Sequence, residues 1–396
     1  MKNLTIWIII AIVIRVVLSG TALHPDIRGH NLAGFLVAQR GQALSLYDYL
    51  SRQPRADPWV MLYRDDLFIY PPLAYLVHGL SNLVLYPLYP QALFNTLITD
   101  IGQVIGHPDL PRLLILLKFP YLVADIICFF IVRRLTVGKH QFAASLLWLF
   151  NPITIYASYM IGQFDIFLAL FILLAIYFAS TSRAFLPAIM LGLAASFKPF
   201  PLFLIPFLPG SKPKNIIIGI LTYILLMTPY LGSTGYRQYA LLAPQTDKIT
   251  YSKILVSGSQ YLPLFFLGLV VLFWLNHFFP KKLTTWEWFG AVGLLFFSLT
   301  HFHPQWFVWI APSLVLWLAT DQHKRLPILA ILGSYCLLIF LFEPSLTFGL
   351  FNIDFSLFAA VNRFYPADHL ASLARALFAG SAIAVFLSNR VVNKSM

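Results

Sequence analysis

Long apolar runs separated by short basic clusters make up most of the chain. The first runs from Leu4 to Leu23 behind Lys2; others fall near 110–132, 141–160, 165–181, 215–232, 260–279, 285–303, 306–320, 327–343 and 371–388. Most approach the roughly 20 apolar residues that a helix needs to cross a bilayer. The clusters between them are Arg133, Arg134 and Lys139, then Arg183, then Lys212 and Lys214. Lys281 and Lys282, Lys324 and Arg325, and Arg390 and Lys394 continue the series. Short basic loops favour the cytoplasmic side. Placed there, these clusters put both termini in the cytoplasm and turn the longer loops outward. The first run has the position of a signal peptide, but its length reads as an uncleaved anchor.

Two stretches break this alternation. "IYPPLAYLVHGLSNLVLYPLYP", 69–90, is long enough to span, yet prolines and His78 interrupt it. It reads as an outer-surface or interfacial helix. "LPAIMLGLAASFKPFPLFLIPFLPG", 186–210, has cytoplasmic charge on both flanks and Lys198-Pro199 at its centre. Proline breaks the helix there, so the stretch is expected to form two half-helices folded back as a re-entrant hairpin, which needs protein or a wet cavity around its backbone.

Composition agrees with this layout. Charged residues are 11% and hydrophobic residues 59% of the 396-residue chain, where soluble domains carry about a quarter charged. The net charge of +12 raises the question of nucleic acid, but the basic residues form no stripe or stacking surface, and no nucleic-acid partner is expected. Cys128 and Cys336 lie inside apolar runs, which excludes a disulfide framework or zinc spacing. No phosphate-cradling glycine loop is present, which argues against ATP- or NAD-driven chemistry. The expected fold is an all-α polytopic membrane protein with about ten full spans and one re-entrant hairpin. It forms a single integral domain over 1–396, with interfacial helices in an outer loop at 24–109 and motif-free C-terminal helices at 321–396.

Candidate chemistry gathers at the outer ends of the spans. "HPDIRGH" places Asp26, Arg28 and His30 directly after the first run. On a helical wheel Ile27, Leu32, Phe35 and Leu36 share one half and Asp26 and His30 the other, which describes a surface helix with its acid facing a cavity. Capping explains Asp26 equally well. His24 and His30 with Asp26 leave a divalent cation open without assigning a metal site. "YRDDLFIYPP" adds Asp65, Asp66 and Tyr70, "YMIGQFDIF" adds Gln163 and Asp165, and "HFHPQW" adds His301, His303, Gln305 and Trp306. Arg15 and Lys198 are charges within apolar runs, which are costly and functional by default. Lys118 and Asp125, seven apart, are an expected ion pair on one helix face.

Asp26 after the first run, then "GQALSLYDYL" and "FIYPPLAYL", resembles the GT-C superfamily of membrane glycosyltransferases. "FNPITIYASYMIGQFDIFLAL", "GLAASFKPFPLFLIPFL" and "HFHPQWFVWIAP" are similar to segments of bacterial polyprenol-phosphate-mannose-dependent transferases. They also resemble the first mannosyltransferase of GPI-anchor synthesis. The likeness follows the family's order over residues 1 to about 320. It implies a multi-pass cell-membrane enzyme with an outward-facing site. That enzyme would transfer a hexose such as mannose, with inversion, from a polyprenyl-phosphate sugar to a lipid, glycan or protein acceptor, amid membrane lipids. Asp26 falls on the family's acid and would be the general base. Lys198, Arg28, Arg15 and His303 would stabilise the leaving lipid phosphate. Gln163, Asp165, Tyr70, Asp65, Asp66, His30 and Gln305 would surround the sugar or acceptor. "PDIRG" departs from relatives that carry two acids here, which puts a metal-binding acidic pair in doubt. A transporter or flippase of a lipid-linked sugar is the alternative, and an inactive scaffold of the same fold is a third reading.

Overall fold

Proline and glycine set where many of the helices begin and end. A computed structural model describes residues 4–63, 67–241, 243–279, 283–301 and 303–391. The helices that position the site are α1 (Leu4–Thr21), α2 (Asp26–Arg40), α3 (Leu73–Leu85) and α4 (Leu110–Leu135). There follow α5 (Lys139–Leu149), α6 (Asp165–Ser180), α7 (Leu186–Ala195) and α8 (Lys212–Met227). An antiparallel hairpin, β1 (Lys253–Ser257) with β2 (Gln260–Pro263), precedes α9 (Leu264–Phe278). The remainder are α10 (Thr285–Leu299), α11 (Ala311–Thr320), α12 (Arg325–Phe340) and α13 (Ala367–Val391).

The chain is a mainly helical, polytopic membrane protein. Among the described residues four helical stretches are long and apolar enough to cross a bilayer: Leu4–Thr21, Leu110–Leu135, Lys139–Ile161 and Ala367–Ser388. Ile6, Ile9, Val13 and Val17 of α1 are exposed at helical spacing and form its lipid-facing stripe. Several expected spans are shorter as helices. Those at 165–181 and 327–343 are helices of 16 residues, and those at 260–279 and 285–303 are helices of 15. At 1.5 Å per residue such helices reach about 24 Å, less than the roughly 30 Å hydrocarbon thickness. Their missing ends are other structures. Residues 260–263 pair as a strand, and Pro304–Ile310 is a 3₁₀ segment leading into α11.

The stretch 186–210 breaks where the sequence indicates. α7 ends at Ala195, a 3₁₀ segment runs from Phe200 to Phe207, and Lys198-Pro199 lies between them. α2 does not lie exposed on a surface. Residues Asn31 to Leu36 and His30 are buried, and the helix packs against α3. That approach is close enough to demand glycine: a Cβ on Gly34 would stand 2.6 Å from the His78 Cβ.

The charges within α1 and α4 are structural. Arg15 Nε donates to Asp125 Oδ2 at 2.7 Å, and its Nη1 donates to the Leu149 carbonyl at 2.6 Å. Trp148 Nε1 and the Tyr159 hydroxyl complete the shell of Asp125, each at 2.7 Å. The expected Lys118–Asp125 pair does not form. Lys118 Nζ instead donates to the carbonyls of Ser19, Ala22 and Tyr159 at 3.1, 2.7 and 2.8 Å. It caps the open C-terminal end of α1, where cations are favoured.

Candidate functional site

Pro25 precedes α2 and leaves Asp26 in its first turn. Gly162, at φ +79°, ends the π-helical segment Ile155–Ile161 in a left-handed turn that only glycine adopts freely. The turn brings Gln163 back to α2, where its Nε2 donates to Asp26 Oδ2 at 2.5 Å. Because Nε2 must face the carboxylate, Oε1 is the free end, and it is buried without a hydrogen-bond partner. His24 Nδ1 lies 3.5 Å from Asp26 Oδ1 but accepts the Asp26 backbone N–H at 3.2 Å. Its lone pair is therefore turned to the backbone, and the two side chains are not an ion pair. Burial lowers the His24 pKa below its ordinary value, keeping it neutral.

Two residues further on, α6 opens with Asp165. Lys198 Nζ donates to Asp165 Oδ1 and Oδ2 at 2.6 and 2.9 Å, and Trp309 Nε1 donates to Oδ1 at 2.6 Å. The ammonium lies over the rings of Tyr70, Phe164, Trp306 and Trp309 at 5.2, 4.9, 5.4 and 5.6 Å. Lys198 thus has a protein counter-ion and an aromatic cage. Of the two anions open to Lys198 from the sequence, a donor's phosphate and a protein carboxylate such as Asp165, the structure supplies Asp165.

Two adjacent cavities lie beside this pair. One, of about 880 Å³, is lined by His24, Asp26, Arg28, His30, Tyr63 and Gln163, with Glu343 among its other residues. The other, of about 550 Å³, has walls of Phe200, Phe203, Phe266, Phe296, Trp306 and Trp309. Ile69 and Tyr70 line both. Burial and the nearby Asp26 and Asp165 carboxylates hold the Tyr70 phenol well above its ordinary range, so it stays neutral at the junction. The apolar cavity ends in a polar corner. Lys248 Nζ donates to His303 Nε2 at 2.7 Å. Burial, and then Lys248, push His303 down to about 2, so it is a neutral acceptor and not the expected cation. Gln305 lines the same cavity with Oε1 unpartnered.

The other expected site residues fall as follows. Arg28 lines the polar cavity, and both its Nε and Nη2 donate to the Ile98 carbonyl. His30 also lines it but is spent on a buried relay. His78 Nδ1 donates to Ala74, so the Tyr121 hydroxyl donates to His78 Nε2 and accepts from His30 Nε2, each contact 2.9 Å. Arg15 does not join the site, because Asp125 and Leu149 hold it between helices. Asp65 and Asp66 lie outside the described residues, as do Lys281 and Lys282. Among the described residues no group of three or more His, Cys, Asp or Glu is placed to hold a metal.

Sequence reasoning missed three contributors. Lys248 sits in the polar island "PQTDK" between two apolar runs, and Glu343 is the lone acid closing another. Trp309 stands one turn after Trp306 and reads as an interfacial belt residue, although its indole binds Asp165.

Compared with known proteins, residues 63–310 match the family model described as GPI transamidase subunit PIG-U, well over half of the chain. No curated protein matches it.

Proposed function

The chain belongs to the PIG-U family of GPI transamidase subunits, and from that premise we propose that it is a membrane subunit which holds the glycolipid during protein processing. The reading rests on one observation: a polar and an apolar cavity lie side by side and share Ile69 and Tyr70 in their walls. An amphipathic ligand needs such a pair, one space for the headgroup and one for a hydrocarbon chain. The Lys198–Asp165 pair and its aromatic cage fix the wall between them. In this account the cavities open toward the outer side, the Lys198 tip lies at that depth, and both termini are cytoplasmic. The shorter helices, extended by their 3₁₀ ends, complete about ten crossings around the hairpin.

Family membership corrects the expected activity. A subunit of a GPI transamidase is not a glycosyltransferase, and sugar transfer from a polyprenyl-phosphate donor, with Asp26 as general base, is withdrawn. The polyprenyl donor goes as a partner, replaced by the protein partners of a complex. The flippase alternative falls with the same match. Purification of the tagged chain from its native membrane in mild detergent tests the reading. Partner proteins and a phosphoinositol glycolipid should co-purify with the wild-type chain, and Ile69→Trp, which crowds the junction, should retain the proteins and lose most of the glycolipid. A chain that purifies alone, or an Ile69→Trp variant with unchanged glycolipid, would contradict it.

A further inference from the structure

A hydrocarbon chain gains little by leaving the bilayer for a protein cavity, since lipid tails are as apolar as the wall. Selectivity for one lipid must then come from its headgroup, and the polar cavity has a one-sided chemistry. Its donors are largely spent on the protein. The Tyr63 hydroxyl donates to the Gly29 carbonyl at 2.5 Å, Arg28 to Ile98, and His30 Nε2 to Tyr121. Its acceptors are not. Among the described residues Asp26 Oδ1 receives no donor, since His24 turns a lone pair toward the backbone. Gln163 Oε1 is buried and unpartnered, and its amide cannot flip without facing Asp26 with an oxygen. Glu343 brings a second carboxylate to the same cavity. Among the described residues two carboxylates stand against one cation, Arg28; Tyr70 and Ser345 supply hydroxyls that can play either part, while the Thr99 hydroxyl donates to the Asn95 carbonyl.

Resting on the lipid-holding reading, we infer that the polar cavity binds a primary ammonium carried by the headgroup, with Asp26 as its counter-ion and Gln163 Oε1 as its second acceptor. An ammonium offers three N–H donors and no acceptor, which matches a wall of unfilled acceptors. A polyol's hydroxyls could also fill these acceptors but bring no charge to set against the Asp26 carboxylate. A quaternary ammonium offers no N–H and would leave Gln163 Oε1 unpartnered. Gln163 is a positioning residue as well, because its Nε2 fixes which Asp26 oxygen turns to the ligand.

Binding to the purified chain in detergent separates these cases. The probes are dioleoyl phosphatidylethanolamine, its trimethylated counterpart phosphatidylcholine, and phosphatidylglycerol, read by native mass spectrometry and by fluorescence of Trp306 and Trp309. The amine lipid should bind about tenfold or more tighter than the other two, as one charge-assisted hydrogen-bonded contact allows. Asp26→Asn should weaken the amine lipid by about 10- to 100-fold, leave the others unchanged, and keep the melting temperature. Asp26→Glu should restore part of the preference. Ethanolamine phosphate should compete where choline phosphate does not, showing that the headgroup alone is recognised. Equal binding of the three lipids, or a preference that survives Asp26→Asn, overturns the inference and leaves the lipid-holding reading standing. Failure of the amine lipid to bind also overturns the inference, while the lipid-holding reading is decided separately by the co-purified glycolipid.

Discussion

Asp165 and Asp125 are each buried in a membrane protein, and each is made tolerable by a cation and an indole. Removing one member of such a pair leaves an uncompensated charge, which costs about 3–5 kcal/mol. Lys198→Met should therefore destabilise the chain by that order, and adding Asp165→Asn should recover much of the loss in detergent melting experiments. Recovery by Asp165→Asn is the distinguishing result, because a lysine held for a ligand's phosphate would show none. His303 gives a pH dependence of known sign. Its folded value of about 2 lies below the ordinary 6.5, so the unfolded chain binds the extra proton. The stability it contributes is complete above about pH 6.5 and is lost progressively as pH falls toward 2. Melting temperatures should drop on acidification below pH 6.5, and His303→Gln should flatten that slope.

At the level of elements, the apolar runs and their breaks were legible because each has a local cause. The break within 186–210 followed from Lys198-Pro199 at its centre. What could not be read locally is rotation. Arg15 and Asp125 meet across 110 residues, and no spacing rule on α4 could give Asp125 that partner in place of Lys118. The burial of α2 was hidden for the same reason. His30 looked free for a ligand until α3 and α4 supplied the His78–Tyr121 relay. Gly34 marks that contact. Gly34→Ala would set a Cβ 2.7 Å from the His78 carbonyl carbon. It should cost about 1–3 kcal/mol as overpacking, seen as a lower melting temperature, whereas Gly41→Ala, with open space around it, should suffer only backbone strain.

For the whole molecule, the sequence showed which residues come together better than what they do. Asp26 meets Gln163, and Asp165, Lys198 and Tyr70 meet one another, but charge beside aromatic rings suits binding and transfer alike. Short matches to glycosyltransferase segments could not exclude transfer; the family match over 63–310 does. The central claim is that the two adjacent cavities hold a glycolipid. The most direct test places p-benzoylphenylalanine at position 203, in the apolar wall, or at position 9, on the lipid-facing stripe of α1, and identifies the adducts after illumination in native membranes. The account predicts a glycolipid adduct enriched at 203 and bulk phospholipid at 9. The same bulk-lipid mixture at both positions would contradict it.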